Sequence, residues 1–190
     1  MTNPPFVISS RILSLVAAIH DLLGELKGQS QIIRISPKLR KKNRIRTIHH
    51  SLAIEGNTLN LDQVSAIIEH KRVVGPKKQI LEVQNAVNVY DQLVNLAALK
   101  EKDFLKGHRL LMKDLVADAG KYRSSAVGIF KDGKVSKIAP PAKQVPSLMD
   151  QLFEFLQKDK ETPQLVKACV FHYELEFIHP FSDGNGRMGR

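Results

Sequence analysis

The final segment of the sequence combines a proton acceptor, a carboxylate, a glycine-rich turn and two arginines within twelve positions. It runs His-Pro-Phe-Ser-Asp-Gly-Asn-Gly-Arg-Met-Gly-Arg from residue 179 to residue 190. Gly184 and Gly186 allow backbone angles at which successive N–H groups converge on an anion. If a helix begins near Asn185, its first amides and its dipole add to that site. The spacing therefore predicts a loop that binds phosphate.

The side chains of this segment indicate what chemistry could be done on a bound phosphate. Arg187 and Arg190 lie three positions apart, so a helix would present both guanidinium groups on one face for bidentate contact with phosphate oxygens. Asp183 is a hard oxygen ligand of the kind that Mg²⁺ takes beside nucleotide phosphates. His179 has an ordinary pKa of about 6.5, so it can be neutral and accept a proton from an attacking hydroxyl.

Three simpler interpretations fit the segment less well. A plain hairpin turn requires flanking residues that alternate as paired strands do, and these do not alternate. A calcium loop needs an acidic or amide residue and then a glycine where Arg187 and Met188 stand. A Walker-type loop needs a lysine, which the segment lacks. A lone histidine would more often be structural, and the neighbouring residues are what make His179 a candidate base.

The segment resembles the signature of the Fic family, H-x-F-x-D/E-G-N-G-R-x-x-R, and every fixed position is present. The resemblance continues upstream through residues 120–123, 138–141 and 145–155, which look like the family's lead-in, its β-hairpin flap and the helix after it. It spans most of residues 79–190. What it implies about fold is a mostly α, Fic-type helical bundle with a small β-hairpin flap.

The same resemblance implies an activity, that of a protein adenylyltransferase. AMP would pass from ATP to a serine, threonine or tyrosine hydroxyl of a target protein. His179 would be the catalytic base that deprotonates this hydroxyl as it attacks the α-phosphate, and pyrophosphate would leave. The target would be another protein or the chain itself, and a homodimer is compatible with this expectation.

The resemblance also implies roles for the residues around the base. Asp183 would hold Mg²⁺, and Phe181 would anchor the loop in the core. The ATP-binding residues would be Gly184, Asn185, Gly186, Arg187 and Arg190, with the two arginines on the β- and γ-phosphates. The target-docking residues of the flap would be Lys137, Ile138 and Ala139, since a sheet edge can align a peptide by backbone pairing.

A second motif lies far upstream. Residues 51–56, Ser-Leu-Ala-Ile-Glu-Gly, resemble the inhibitory motif S/T-x-x-x-E-G/N of Fic proteins through Ser51, Glu55 and Gly56. Its position ahead of the core resembles the subgroup with an N-terminal inhibitory helix. A carboxylate at Glu55 can pair with Arg190 and take the space and charge that a γ-phosphate needs. We therefore expect inhibition by competition for one guanidinium group.

The rest of the chain must position these two motifs, and its pattern is mostly helical. Apolar residues recur at helical spacing in three stripes. The stripes are Ile12, Leu15, Val16, Ile19, Leu22 and Leu23; Ile80, Val83, Val87, Leu93, Val94 and Ala97; and Leu148, Met149, Leu152, Phe153 and Leu156. Asp132 and Gly133 predict a two-residue turn between two short strands, 127–131 and 134–138.

Helix-terminating residues and a loop in the sequence predict that the chain has two regions. A helix of about 38–56 has a proline at its start and a glycine just past its end. Residues 61–69 could form a second helix, and a loop over 73–78 follows. We therefore expect an N-terminal helical region, 1–75, with the inhibitory helix, and a Fic catalytic core, 76–190. Because Fic-type cores continue with a further helix, we expect this core to be C-terminally incomplete.

Composition narrows the setting. The single cysteine, Cys169, forms no disulfide within the chain and favours a reducing, cytoplasmic location. The first residues lack a basic segment followed by an apolar run, and no apolar run of about 18 residues occurs in the sequence. We therefore expect neither a signal peptide nor membrane contact. The net charge of +10 suits an anionic nucleotide, and it also invites a nucleic-acid partner, which we do not favour.

Two alternatives stay open at this point. One is a nucleotide-binding regulatory or DNA-binding protein with a non-catalytic Fic-like segment. Its contact surface would be the basic face formed by Lys38, Arg40, Lys41, Lys42, Arg44 and Arg46. The other is a Fic-fold transferase that uses a different phosphate-containing donor.

Overall fold

The computed structural model describes residues 4–30, 36–131 and 134–190, and it is mostly helical, as the sequence predicts. The helices of the described part are α1 (Ser10–Ser30), α2 (Pro37–Ile54), α3 (Leu61–Ile68), α4 (Lys77–Gln92), α5 (Glu101–Leu111), α6 (Val145–Lys158), α7 (Gln164–Ile178) and α8 (Asn185–Gly189). Short 3₁₀ turns cover Leu93–Asn95 and Ala142–Gln144. Among these helices, none is both long and apolar enough to cross a membrane.

Helix α2 has clear chemical start and stop signals. The Oγ of Ser36 accepts a hydrogen bond from the N–H of Leu39, and Pro37 occupies the first turn, where its missing N–H costs nothing. At the other end Glu55 is the capping residue and Gly56 takes the left-handed conformation, with φ of 86°. The following N–H groups return to the last helical carbonyls, as in a Schellman motif. The sequence-predicted helix is thereby confirmed, with Glu55 at its end.

The apolar stripe from Ile80 to Ala97 is not one helix, and this prediction is wrong. Helix α4 ends at Gln92, Leu96 is extended, and the N–H of Ala97 donates to the Asp103 carboxylate at 2.9 Å. The side chain of Asp103 therefore takes an amide that a continuous helix would have bonded to its own backbone. Val94, which the helical pattern would make an interior residue, is 91% exposed.

Two buried apolar clusters hold the helices together. The first unites α2, α3, α4 and α5 through Ile48, Leu52, Val64, Val83 and Met112, each 3% exposed or less. Full burial of such side chains contributes about 1.5–3 kcal/mol each. The second lies between α6 and α7 and includes Val145, Met149, Leu152, Phe153 and Leu175. The two motifs that matter for function therefore sit on helices of one packed body.

Two short strands lie between α5 and α6. Strands β1 (Gly128–Lys131) and β2 (Lys134–Ile138) pair antiparallel, with Gly128 opposite Ile138 and an irregularity in register between Ile129 and Phe130. The turn predicted at residues 132 and 133 lies outside the described residues. Such a pair is marginally stable by itself and needs support from the helices.

Candidate active site

The candidate base sits where α7 ends. His179 caps α7 in the left-handed conformation, with φ of 51° and ψ of 60°, and its N–H still bonds the Leu175 carbonyl. The side chain is half-buried, and burial lowers the pKa of its imidazole below the ordinary value. The charges of Glu176 and Glu55 oppose that shift, while Arg123 adds to it. His179 is therefore predominantly neutral near pH 7, the form that can accept a proton.

Phe181 is the anchor of the loop after His179. It is fully buried, and its ring stacks on the imidazole of His108 at 3.6 Å with an interplanar angle of 3°. Phe104 also stacks against it, with centroids 5.6 Å apart. The side-chain amide of Asn185 then bonds both the N–H and the carbonyl of Phe181 at 2.9 Å. The loop is thus fixed in the core at both ends before it presents any amide to a ligand.

His108 is a functional candidate that sequence reasoning missed. Its Nδ1 accepts from the N–H of Gly120 at 2.8 Å, so its Nε2 carries the proton and donates to the Asp183 carbonyl at 2.9 Å. Burial lowers the pKa of His108 and keeps it neutral. His108 lies 71 residues before His179 in the sequence. Nothing in the sequence pattern around it indicates a contact with this loop.

Glycine is required where α8 begins. Gly184 is its N-cap with φ of 87°, and a Cβ there would lie 2.7 Å from the Sδ of Met112. The loop therefore packs against α5 more closely than any side chain allows. Helix α8 then starts with the first amides of its backbone available for a ligand, since such groups have no partner within a helix.

Asp183 and Arg187 form an ion pair across this helix start. The Nη2 of Arg187 donates to Asp183 Oδ1 at 2.6 Å, and Glu82 of α4 approaches Nη1 at 3.6 Å. Glu82 also accepts from the side chain of Asn57, just beyond the inhibitory motif, at 2.8 Å. Glu82 was not a sequence-level candidate, because nothing in its helical pattern separates it from a solvated glutamate.

Arg190 joins α8 to α2. Its Nη2 donates to Glu55 Oε1 at 2.6 Å and to the Ser51 carbonyl at 3.0 Å, and its Nε donates to Ser51 Oγ at 3.2 Å. A Cβ on Gly186 would lie 2.8 Å from the same Glu55 oxygen. The carboxylate of Glu55 therefore lies against the glycine loop as well as against the arginine, and the ion pair expected from the two motifs is present.

The donor set around Asp183 fits a magnesium ion bound together with a nucleotide. Among the described residues no group of three or more histidine, cysteine, aspartate or glutamate side chains could hold a metal by itself. The carboxylate of Asp183 is 45% exposed, with Oδ1 held by Arg187. One carboxylate with phosphate oxygens and waters is the kind of coordination that Mg²⁺ prefers.

The remaining predicted residues belong to the flap and to the basic run of α2. The side chains of Lys137 and Ile138 lie outside the described residues, and Ala139 is buried. In the basic run of α2, Lys41 pairs with Glu69 at 2.7 Å and Arg44 with Asp91 at 2.8 Å. Part of that charge is therefore matched within the chain.

The chain is similar to known proteins of one family. Residues 98–190 match the model of the Fic/DOC family. The chain is 37% identical over 158 residues to "Protein adenylyltransferase Fic" of Nematostella vectensis, covering 75% of this chain and 35% of that protein. It is 29% identical over 201 residues to "Protein adenylyltransferase fic-1" of Caenorhabditis briggsae, covering 100% of this chain and 38% of that protein.

A solved structure has a closely similar fold. The crystal structure of a Fic family protein from Desulfovibrio desulfuricans superposes with a TM-score of 0.91 at 47% identity, covering 99% of this chain and 57% of that one. The chain spans little more than a third of the curated relatives it matches. Residues 98–190 therefore form a Fic/DOC family domain within this chain.

Proposed function

We propose that this chain carries the active site of a protein adenylyltransferase, which transfers AMP from ATP to a hydroxyl of a protein. The observation that carries the proposal is the geometry around α8. A neutral histidine, a carboxylate and two arginines surround one rigid helix start, and the buried contacts of Phe181 hold that start in position. Two proteins to which this chain is similar are named protein adenylyltransferases, which supports the proposal.

In the proposed reaction His179 accepts the proton of the target hydroxyl as its oxygen attacks the α-phosphorus of ATP. A new phosphorus–oxygen bond forms, the bond from the α-phosphorus to the bridging oxygen breaks, and pyrophosphate leaves with its electron pair. The amides of residues 184–186 would stabilise charge on the transferring group. For Gly184 this requires its N–H to leave Asp183 Oδ1, which accepts it at 2.5 Å. Arg187 and Arg190 would hold the β- and γ-phosphates in bidentate contacts.

Asp183 would hold Mg²⁺, which when bound neutralises charge on the phosphates. Arg187 holds Asp183 through Oδ1, so the ion would be bound by the other carboxylate oxygen, Oδ2.

Inhibition would follow from the contact of Glu55 with Arg190. While Glu55 Oε1 holds this guanidinium at 2.6 Å, a γ-phosphate lacks both its cation and its space. Ser51 strengthens the competition, since its carbonyl and hydroxyl occupy further donors of Arg190. The inhibitory helix would belong to a region distinct from the catalytic core, divided near residue 75.

The strand pair would serve as the docking flap. An exposed strand edge can pair with an extended segment of the target and bring its hydroxyl to His179. Lys137 and Ile138 of β2 would provide that edge, together with the backbone of Ala139, which follows the strand and has a buried side chain. The partners would thus be ATP and a protein target, which could be another copy of the chain.

The test is AMP incorporation measured by intact-mass spectrometry with Mg²⁺ and α-labelled ATP. We expect Glu55→Gly to raise incorporation by at least about tenfold, since a freed guanidinium is worth more than about 1.4 kcal/mol of phosphate binding. Glu55→Gly combined with His179→Ala should abolish it.

Other results would point elsewhere. An adduct with a mass other than that of AMP would identify a different donor. Binding of ATP without an adduct in any variant would overturn transfer and favour the nucleotide-binding regulator.

A further inference from the structure

Arg123 makes an unusual set of contacts for a buried arginine. It is 3% exposed, and the acceptors that the structure describes for its guanidinium are backbone carbonyls. Nε donates to His179 O at 2.8 Å, Nη1 to Ser125 O at 2.8 Å, and Nη2 to Pro140 O at 2.6 Å and to Ile178 O at 3.2 Å. Its own N–H donates to the Pro180 carbonyl at 2.9 Å.

These acceptors belong to two separate parts of the chain. Ser125 and Pro140 flank the strand pair, three residues before β1 and two residues after β2. The other carbonyls are consecutive at the end of α7 and include that of His179. One planar group therefore holds both ends of the strand pair against the backbone of the candidate base.

The chemistry of the guanidinium makes this contact specific. Its donors have a fixed fork geometry, so several carbonyls at fixed angles suit arginine, whereas a lysine ammonium cannot reproduce them. Burial of this cation is costly and lowers the pKa of Arg123. Each hydrogen bond to the guanidinium is therefore needed to offset its lost hydration. The left-handed conformation of His179 is itself strained, and such strain persists only where the surroundings hold it.

We propose that Arg123 is a positioning residue, which fixes the backbone of His179 and both ends of the strand pair to one rigid group. The base and the strand edge that meets the target then keep one relative geometry. The kinetic consequence rests on the proposed function, and the structural link does not.

The link is tested by hydrogen exchange in Arg123→Lys and Arg123→Ala, each in the Glu55→Gly background. We expect amides of residues 124–141 and 177–181 to exchange faster together, by about tenfold or more, because they lose a shared local constraint. Arg44→Lys is the matched control. Arg44 also donates to a backbone carbonyl, that of Val87 at 2.9 Å, but it lies on α2 away from the strands.

Kinetics separate positioning from general loss of structure. The rate of AMP incorporation at saturating ATP should fall about 100-fold in both variants, as for a displacement of about 1 Å at a reacting group. Affinity for a non-hydrolysable ATP analogue should change less than about threefold, because the amides and arginines of α8 are held by other contacts. Added guanidinium chloride should restore part of the rate in Arg123→Ala, and equal ammonium chloride should not.

The proposal is overturned if exchange rises in only one of the two segments, rises equally throughout the chain, or rises as much in Arg44→Lys. Loss of ATP affinity in step with the rate would also overturn it. If the Glu55→Gly parent transfers no AMP, the proposed function fails, while joint exchange of the two segments still supports the link.

Discussion

His179 combines two properties that a base of this kind needs. Its backbone is held in a left-handed conformation by contacts to its own carbonyl, and its imidazole is half-buried among groups of both charges. Burial lowers the pKa of the imidazole, and the charge of Glu176, one turn earlier on α7, raises it. Local residues therefore set the pH at which the imidazole becomes neutral, and mutation of these residues should shift that pH.

The rate of AMP transfer should rise with pH through the pKa of His179, because only the neutral imidazole accepts a proton. Since burial lowers that pKa, the acid limb of the rate should lie below pH 6.5, the ordinary value. Glu176→Gln removes a charge that favours the imidazolium form, so the acid limb should move to still lower pH. The measurement is the initial rate against pH in the Glu55→Gly background, with and without Glu176→Gln. The charge of Glu55, which also acts on the pKa of His179, is then absent from both enzymes.

Glu161→Gln is the control for that profile, since it removes the same charge three residues before α7 begins, and the roughly four turns of α7 separate it from the base. Its acid limb should stay in place. An unchanged limb in Glu176→Gln would show that Glu176 does not act on the base.

At the scale of residues, the sequence predicts the motif well and its supports poorly. Arg187, Arg190 and Glu55 were recognisable because a short pattern fixes their spacing, and the structure brings the last two into contact. His108 and Arg123 act through backbone carbonyls of the loop. Contacts of that kind leave no periodicity or charge pattern, so only the folded chain reveals them.

Helix ends decide how the elements meet in this fold. Gly56 ends α2 and Gly184 begins α8, and both have φ near the left-handed region, 86° and 87°. Their surroundings differ. A Cβ on Gly56 would meet nothing within 4 Å, whereas one on Gly184 would meet Met112 at 2.7 Å. Substitution of Gly56 therefore tests backbone strain alone, whereas substitution of Gly184 tests the same strain together with a steric clash.

We expect Gly56→Ala to cost about 1–2 kcal/mol of unfolding free energy, the strain of a left-handed L-residue. Gly184→Ala should cost about 1–3 kcal/mol more, because α5 must move as well. The control is Gly24→Ala in the middle of α1, where nothing lies within 4 Å and φ is helical, and it should stabilise by about 0.5–1 kcal/mol. Urea unfolding measures all three, and equal losses at Gly56 and Gly184 would contradict the contact with Met112.

The sequence predicts a helix correctly where capping residues mark both of its ends. Ser36, Pro37 and Gly56 define α2 chemically, and the structure places its ends there. The stripe from Ile80 onward carried no comparable stop signal, and Asp103 ended the helical path from a later segment by bonding Ala97. Such a competitor, six residues further along the chain, is invisible to periodicity.

The whole molecule couples α2 to α8 through one ion pair. Glu55 and Arg190 are 135 positions apart and join the end of α2 to the candidate ATP site. Their side chains are about 30% exposed, so the pair adds at most about 1 kcal/mol to stability. Under the proposed function its larger consequence would be competition, because the same guanidinium cannot fully bind both Glu55 and a phosphate.

This competition predicts opposite thermal shifts with and without nucleotide. Without ATP, Glu55→Gly should melt slightly below the wild type, because it loses the ion pair. With Mg²⁺ and an ATP analogue at about 100 times its Kd for the variant, binding adds about 2.7 kcal/mol to the variant, so it should melt above the wild type. Glu69→Gly is the matched control, since Glu69 also caps a helix with similar backbone angles and pairs with lysines. Its melting temperature should fall equally in both conditions, and the same parallel fall in Glu55→Gly would mean that Glu55 does not compete with the nucleotide.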